Sequence, residues 1–409
     1  MHSILNRYKA AFGNLPREVW LLSLVIFVNR CGAMVLFFLS LYLTRELGFS
    51  LGQAGILMSI YGCGFLFGSL VGGILSDRIG AYRVQFYSLG FTGLCLLLFP
   101  LITSALPLAC ALFMLAVFEQ AFRPANAAAL AHAAPPDLRP RAFALNRMAI
   151  NLGVSIGPAF GGVLASLHYN YIFWADGGTC IFAALLLRWL FDFKKGYHAE
   201  GQTRAQKTIS PPWKDGAFLF FIIIVFGIAI IFNQLFSVWP IHLREALGVA
   251  EAHLGMLMAL NAFIIVLIEM PLIHALEKHN PLRIIAIGTV FLSSGFGLLG
   301  FGGSMPFLIM TIVLWTVGEM LIFSIAVSYA SQYAGPQNRG RYMGLYAFAL
   351  SLSFVLGPLG GTRAYAFLGD DLFWRSIWVS GFFVLAGILV LNKWPHFFKG
   401  NRPAAPEPL

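Results

Sequence analysis

Twelve long apolar runs, separated by short polar segments, dominate this 409-residue sequence. About 20 consecutive apolar residues suffice to cross the hydrocarbon core of a bilayer as a helix. Charged residues make up only 11% of the chain, against about 25% in ordinary soluble domains. The pattern excludes a soluble enzyme, a disordered chain and a disulfide scaffold. It predicts an all-α membrane protein with twelve transmembrane helices.

The polar stretch from Asp192 to Gly216 divides the apolar runs into two sets of six. We predict a six-helix bundle over 1–191, a cytoplasmic linker over 192–216, and a second six-helix bundle with a short cytoplasmic tail over 217–409. The predicted spans lie near residues 18–44, 52–76, 82–103, 106–131, 141–166, 171–191, 217–243, 254–276, 282–301, 305–331, 341–366 and 373–393.

The two halves match each other at a fixed offset of 200 residues. Asp77-Arg78 recurs as Glu277-Lys278, Glu119 recurs as Glu319, and Gly157-Pro158 recurs as Gly357-Pro358. Because one offset preserves both the charges in the loops and the Gly-Pro pairs within the spans, the sequence indicates two parallel repeats. The expected fold is therefore two pseudo-symmetric six-helix bundles, with a site between them.

The basic residues fall on one side of the predicted membrane. With the N-terminus inside, 20 of the 27 Lys and Arg lie in cytoplasmic segments, four lie in the opposite loops and three lie within spans. Because cytoplasmic loops carry an excess of Lys and Arg, both termini are predicted to be cytoplasmic, in the cytoplasmic (inner) membrane. This placement explains the net charge of +10 without any nucleic-acid partner.

Motifs for catalysis and cofactor binding are missing from the sequence. It contains no phosphate-binding loop of the G-x-x-x-x-G-K-[ST] type, no H-E-x-x-H and no G-x-S-x-G. Its five cysteines form no C-x-x-C pair. We therefore expect no enzyme activity, no cofactor and no metal.

Ionisable residues near the middle of spans carry the functional information, because a charge at that depth costs at least ~3 kcal/mol. Glu119 and Arg123, four residues apart, can pair on one helix face, and Arg30 is a second possible partner. Glu119, Glu269 and Glu319 are the candidate proton-coupling groups. The alternatives are a permanent ion pair for Glu119 and Arg123, and a hydrogen bond to a neighbouring helix for Glu269.

Further polar and aromatic residues could line a central cavity. The candidates are Arg30, Arg123, Asn29, Asn233, Gln234, Phe37 and Trp239. For the amides, hydrogen bonding between helices is the alternative use. For the aromatic residues, the alternative is contact with lipid.

The segment from Gly73 to Arg83 resembles the cytoplasmic signature loop of the major facilitator superfamily at its Gly, Leu, Asp, Arg and Gly positions. This resemblance implies a conformational latch, in which an acidic helix end meets a helix of the other half near Arg341. The latch residues would be Gly73, Asp77, Arg78, Gly80, Arg83 and Arg341.

The fifth span resembles the motif associated with antiporters of that superfamily, through Gly153, Gly157, Pro158 and Gly161. Close helix packing, without any bearing on transport direction, is the other interpretation of these residues.

Together the resemblances imply a proton-coupled secondary transporter similar to the bacterial drug:proton antiporter group, exporting small amphipathic compounds by alternating access. The expected partners are a small-molecule substrate, protons and membrane lipid, and a monomer is expected. One alternative is a proton symporter importing a peptide, an anionic metabolite or a siderophore. Another is a non-transporting receptor on the same fold.

The charge asymmetry predicts opposite membrane faces for Gln206 and Asp371. In a variant whose native cysteines are replaced by serine, a cysteine at Asp371 should react with an impermeant thiol reagent added outside intact cells. A cysteine at Gln206 should react only after the membrane is permeabilised. Labelling of the Gln206 position alone in intact cells would reverse the predicted topology.

Overall fold

The structure is a computed structural model, and it describes residues 14–136, 138–193, 212–276 and 278–393. The described residues form helices joined by short turns and contain no β-strand. The centre of the predicted linker, 194–211, and the tail from 394 onward lie outside the described residues. The cytoplasmic placement of the linker and termini therefore stays a prediction.

Twelve helices within the described ranges are long and apolar enough to cross a membrane, which confirms the predicted spans. Within a regular helix the backbone amides and carbonyls bond to one another, as hydrocarbon requires. In chain order, α1 to α12 are Arg17–Glu46, Leu51–Ile79, Ala81–Leu101, Ala105–Ala133, Arg141–Leu167, Asn170–Leu190, Gly216–Ala246, Glu251–Leu276, Pro281–Phe301, Met305–Gly335, Asn338–Leu368 and Asp370–Asn392.

The predicted internal repeat is confirmed by the backbone. The π-helical turn Tyr42–Glu46 ends α1, and its equivalent His242–Ala246 ends α7, 200 residues later. Each turn is followed by a glycine with positive φ, 70° at Gly48 and 67° at Gly248. An L-residue with a side chain adopts this conformation at a steric cost, so glycine is favoured at both positions.

Contacts divide the described residues into two compact units. Unit 1 lies within Met1–Glu200 and Phe236–Val266, and unit 2 lies within Gly201–Leu235 and Leu267–Leu409. In unit 1, Tyr42, Phe99 and Phe173 pack ring against ring. In unit 2, Phe296 stacks between Trp315 and Trp374. The sequence-based division into 1–191 and 217–409 stays a prediction.

Two of the spanning helices have bends in equivalent positions. The regular part of α1 stops at Cys31 and resumes at Val35. In α7 the α-helix ends at Phe232, and a short 3₁₀ turn, Asn233–Leu235, follows. We call the segment Gly32–Met34 the first bend and the segment Asn233–Ser237 the second bend.

A ridge of glycines brings α2 and α4 into close contact. Gly64, Gly68 and Gly72 recur every four residues along the contacting face of α2. A Cβ added at Gly68 would lie 2.8 Å from the Cα of Val117 and 3.0 Å from the Cβ of Gln120. The ridge therefore acts in packing, because small residues allow helix backbones to approach in a membrane.

Gly68→Ala should destabilise the protein by about 1–3 kcal/mol, since the new methyl group meets the backbone of α4 and the helices must separate. Gly90→Ala is the matched control, because a Cβ at Gly90 has no neighbour within 4 Å. We expect the control to be neutral or slightly stabilising. Thermal unfolding of both purified variants in detergent measures the difference, and equal midpoints would contradict the packing argument.

Candidate functional site

A carboxylate within unit 1 lies between a tyrosine and an arginine from two other helices. The Tyr61 hydroxyl of α2 donates a hydrogen bond of 2.6 Å to Oε2 of Glu119 on α4. The Arg30 Nη1 of α1 lies 3.7 Å from Glu119 Oε1. The Arg30 and Glu119 side chains are 15% and 29% exposed, so the pair is neither sealed nor fully open. The carboxylate thus has a cationic partner and a hydrogen-bond donor from two neighbouring helices.

Arg30 has hydrogen-bonding capacity to spare. It lies immediately before the first bend, and its Cβ packs against Gly153 of α5. Its buried Nε has no hydrogen-bond partner among the described residues. Because a guanidinium offers five N–H donors, Arg30 can take an additional acceptor beside Glu119.

Of the two partners that the sequence offered for Glu119, the structure pairs it with Arg30 and not with Arg123. The Arg123 guanidinium lies over the Phe65 ring, 5.7 Å from the ring centroid, and forms no salt bridge with any residue the structure describes. Arg30 already contacts the Glu119 carboxylate, and its positive charge repels that of Arg123. A cation over an aromatic face is itself a favourable contact, which gives Arg123 a separate place.

A buried carboxylate that was not among the residues predicted from the sequence lies on α6. Asp176 is 7% exposed, and its Oδ2 accepts hydrogen bonds of 3.4 Å from the backbone amides of Met34 and Val35. Its Oδ1 lies 3.7 Å from the Cys180 thiol, which donates to it. The rule that identified Glu119, an acid inside an apolar run, applies equally to Asp176.

The candidate carboxylates of the second half have different surroundings. Glu269 of α8 is 6% exposed and accepts a hydrogen bond of 2.6 Å from the Ser324 hydroxyl of α10. Glu319 lies half-buried on α10. The contact of Glu269 is the hydrogen bond to a neighbouring helix that the sequence analysis gave as its alternative.

Asn233 and Gln234 are buried at the second bend. The Asn233 amide donates to the Ala229 carbonyl and, at 2.8 Å, to the Ser353 hydroxyl of α11. The Gln234 amide donates to the Ile230 carbonyl and, at 3.2 Å, to the Gly357 carbonyl of α11. Both side chains therefore join α7 to α11, and their predicted role in a cavity stays a prediction.

The remaining cavity candidates are spread through unit 1. Asn29 donates to the Cys180 sulfur at 3.3 Å, which brings it beside Asp176. The Phe37 ring lies 5.3 Å from the Phe236 ring, centroid to centroid. Trp239 is buried at 2% exposure. Asn29 therefore lies beside Asp176, and Arg30 lies beside Glu119.

Comparison with known protein families shows which family this chain belongs to. The family model described as Major Facilitator Superfamily matches residues 22–358 and 219–408. The chain belongs to this superfamily. It is accordingly a multi-pass membrane protein and a secondary transporter, not an enzyme. Transporters of this superfamily bind small-molecule substrates and are typically monomeric.

Relatives of this facilitator include transporters of two kinds. The chain is 27% identical over 407 residues to the "Na(+), Li(+), K(+)/H(+) antiporter" of Planococcus maritimus. This alignment covers 89% of this chain and 92% of the relative. It is 25% identical over 336 residues to the "Multidrug resistance protein MdtH" of Aeromonas hydrophila, covering 79% and 81%. A crystal structure of the nucleoside transporter NupG has the same fold, with a TM-score of 0.77, 14% identity and coverage of 92% and 99%.

The signature loop of this facilitator is open to solvent. Asp77, Arg78 and Arg83 are exposed, as is Arg341 at the start of α11. Gly80 ends α2 with a φ of 91°, a conformation that favours glycine. A Cβ at Gly73 would have no neighbour within 4 Å, so Gly73 is not needed for packing in this conformation. The latch role of these residues stays a prediction.

The antiporter-type motif packs α5 against the first bend. A Cβ at Gly157 would lie 3.0 Å from the Ala33 carbonyl oxygen, and a Cβ at Gly161 would lie 2.6 Å from the Met34 Cβ. The backbone carbonyl of Pro158 closely approaches Gly255 of α8. These glycines act in packing, and their bearing on transport direction stays a prediction.

A second polar cluster in unit 1, centred on Glu251, joins helix ends from both halves of the sequence. Oε1 of Glu251 lies 3.2 Å from Arg45 Nη1 and 2.9 Å from the Tyr169 hydroxyl, which donates to it. Arg244 Nε is also 2.9 Å away, in an ion pair without hydrogen-bond alignment. Glu245 pairs with Arg45 at 3.1 Å. We call these five residues the Glu251 cluster.

Tyr169, in the turn between α5 and α6, donates to the carboxylate throughout the physiological pH range. Burial, and then the negative charge of Glu251, raise the pKa of the Tyr169 hydroxyl well above its usual range. The hydroxyl therefore stays protonated and serves as a neutral donor. The cluster holds α1, α7 and α8 together at this end of unit 1.

Glu251→Gln should loosen this end of the protein, because it leaves Arg45 and Arg244 without their shared carboxylate, at a cost of about 2 kcal/mol. The measurement is the rate at which a thiol reagent labels a cysteine at Phe37, in a variant with its native cysteines replaced by serine. We expect the rate to rise several-fold.

Glu46→Gln is the control for the Glu251 experiment. Glu46 follows Arg45 on the last turn of α1. Its one ion-pair contact among the described residues is with His168, at 3.9 Å. This variant should label at the parental rate. Equal labelling of the Glu251→Gln and Glu46→Gln proteins would contradict a closing role for the Glu251 cluster.

Proposed function

We propose that this protein is a proton-coupled antiporter that exports small amphipathic compounds by alternating access. The observation that carries the proposal is the contact of Glu119 with Arg30 and Tyr61 inside the apolar layer. A charge at this depth is costly, so ionisable residues inside spans usually mark substrate or proton pathways.

The chemistry follows from the two partners of Glu119. While the carboxylate is ionised, the positive charge of Arg30 stabilises it, and the Tyr61 hydroxyl donates to it. Proton uptake removes the negative charge and weakens the attraction to Arg30, whose spare donors then become available to another acceptor. A proton and a conformational change are thereby linked at one residue, which is what coupled transport requires.

The names of the relatives favour exchange over uptake. One is named as a cation/proton antiporter and another as a multidrug resistance protein, both with long alignments. Glu269 and Glu319 are the further candidates for proton binding. Arg30, Arg123, Asn29, Phe37 and Trp239 are the candidates for substrate contact, and Asn233 and Gln234 would reach substrate only by leaving their bonds to α11.

The proposal includes a location and a topology. Both termini and the linker lie in the cytoplasm, and the protein works as a monomer in the cytoplasmic membrane surrounded by lipid. The two bundles, 1–191 and 217–409, alternate in access. The signature loop latches one state through Asp77, with Arg78 and Arg83 holding the acidic helix end near Arg341.

Glu119→Gln should abolish pH-driven transport while downhill exchange of substrate remains. The amide preserves size and accepts the Tyr61 hydrogen bond, but it cannot take up a proton. Reconstituted liposomes with an internal pH dye measure the proton movement, using a panel of cationic dyes, small peptides, Na⁺ and K⁺. We expect no pH-driven flux above that of protein-free liposomes.

Two variants serve as controls for this experiment. Glu18→Gln makes the same chemical change at an exposed carboxylate at the start of α1 and should transport normally. Tyr61→Phe removes the donor but keeps the carboxylate, so it should shift the pH dependence without abolishing coupling.

Four outcomes would change the proposal. If Glu119→Gln still drives substrate against a gradient, Glu119 is structural and Glu269→Gln becomes the next test. If that variant is also unaffected, a uniporter or another coupling ion replaces proton coupling. Proton and substrate moving in the same direction would identify a symporter, and the absence of any flux would support a receptor.

A further inference from the structure

The carboxylate of Asp176 is buried without a cation. None of the described residues forms a salt bridge with Asp176, and its partners are two backbone amides and one thiol. An ionised carboxylate inside an apolar layer is costly unless a cation or several donors compensate for it. Amide donors favour the ionised form and burial favours the neutral form, so the balance depends on whether the amides of Met34 and Val35 stay in place.

The contacts of Asp176 place it at the part of α1 that carries Arg30. The two amides that Asp176 accepts from lie at the end of the first bend, and Arg30 lies just before the bend begins. The side chain of Thr179, one turn along α6, fills the space beside Gly32, where a Cβ would clash with it. A movement of α6 relative to the first bend is therefore transmitted directly to the backbone that positions Arg30.

The second repeat supplies an internal comparison. The position equivalent to Asp176 is Ser376, whose hydroxyl donates to the Phe373 carbonyl of its own helix. The second bend is held by the neutral amides of Asn233 and Gln234. A bend at the equivalent place in the second repeat thus exists without an ionisable group, so a bend there does not itself require a carboxylate.

We propose that Asp176 is a second proton-binding residue of the transport cycle, which holds the first bend while ionised and releases it when protonated. This inference rests on the proposed proton coupling. The titratable or charged groups facing the site are Glu119 of α4, Tyr61 of α2, Arg30 of α1 and Cys180 of α6. Glu119 repels a negative charge on Asp176, so protonation of one carboxylate eases ionisation of the other.

The sequence of events follows from these contacts. A proton that reaches Asp176 cancels its charge, and the attraction for the amides of Met34 and Val35 weakens. The second segment of α1 is then free to shift relative to the first, and Arg30 moves relative to Glu119. Loss of the proton restores the bend. Asp176 would thus be a positioning residue, acting through the backbone of α1 without touching substrate.

Infrared difference spectroscopy of the purified protein in lipid, between acidic and alkaline pH, tests proton binding directly. We expect a band from a buried protonated carboxyl group that shifts with isotope-labelled aspartate. The band should be lost in Asp176→Asn and kept in Cys180→Ser and in Ser376→Ala, which change a neighbour and the equivalent position without removing a carboxylate.

Transport in liposomes tests the consequence. Asp176→Asn should keep substrate binding and downhill exchange but move fewer protons per substrate and lose one step of the pH dependence. Asp176→Glu, which retains a titrating group, should keep both pH steps. A structural role alone would lower stability and leave the proton ratio unchanged.

The outcomes separate this inference from the proposed function. If the parent protein moves no protons, proton coupling fails, whereas the infrared band still decides whether Asp176 binds a proton. If the parent protein is coupled and Asp176→Asn keeps its proton ratio, pH steps and carboxyl band, the inference is overturned. If Asp176→Asn does not fold, the parent protein alone decides, because the absence of an isotope-sensitive aspartate band overturns the inference.

Discussion

Inside a membrane, a break in a helix exposes backbone amides that hydrocarbon cannot satisfy, and this constraint shapes the first half of the protein. The first bend interrupts α1, and the carboxylate of Asp176 accepts the amides of Met34 and Val35. Gly157 lets α5 approach the same bend closely. Arg30 lies directly before the bend, so the geometry that places it near Glu119 depends on how these amides are satisfied.

The two repeats share a backbone plan and differ in chemistry. Gly161 packs on Met34 in the first repeat, and its equivalent Gly361 packs on Gln234 in the second. Glu119, which recurs in sequence as Glu319, has Arg30 and Tyr61 as partners within unit 1. The first bend is thus held by a carboxylate, and the second by neutral side-chain amides.

The position of most candidate residues within the membrane could be predicted from the sequence, whereas the contacts between them could not. The depth of Glu119, Arg30 and Glu269 follows from their places within apolar runs, because the bilayer thickness fixes where the middle of a span lies. The pairing of Glu119 with Arg123 did not follow from helical spacing, since a partner on another helix competes with the one four residues away. Asp176 was missed although the same rule marks it, because its importance depends on its contact with the first bend.

The sequence by itself determined the twelve helices, their class and the internal repeat, because lipid imposes a strong one-dimensional requirement of length and apolarity on each segment. The repeat is visible in the sequence as a constant offset of 200 residues, in loops and in helix ends, so it could be recognised without coordinates. Only the tertiary structure decided which polar groups meet: Tyr61 with Glu119, Ser324 with Glu269, and Arg45 with Glu251. These pairs are far apart in the chain, and their contact depends on helix rotation and close packing, which side-chain shape sets in three dimensions.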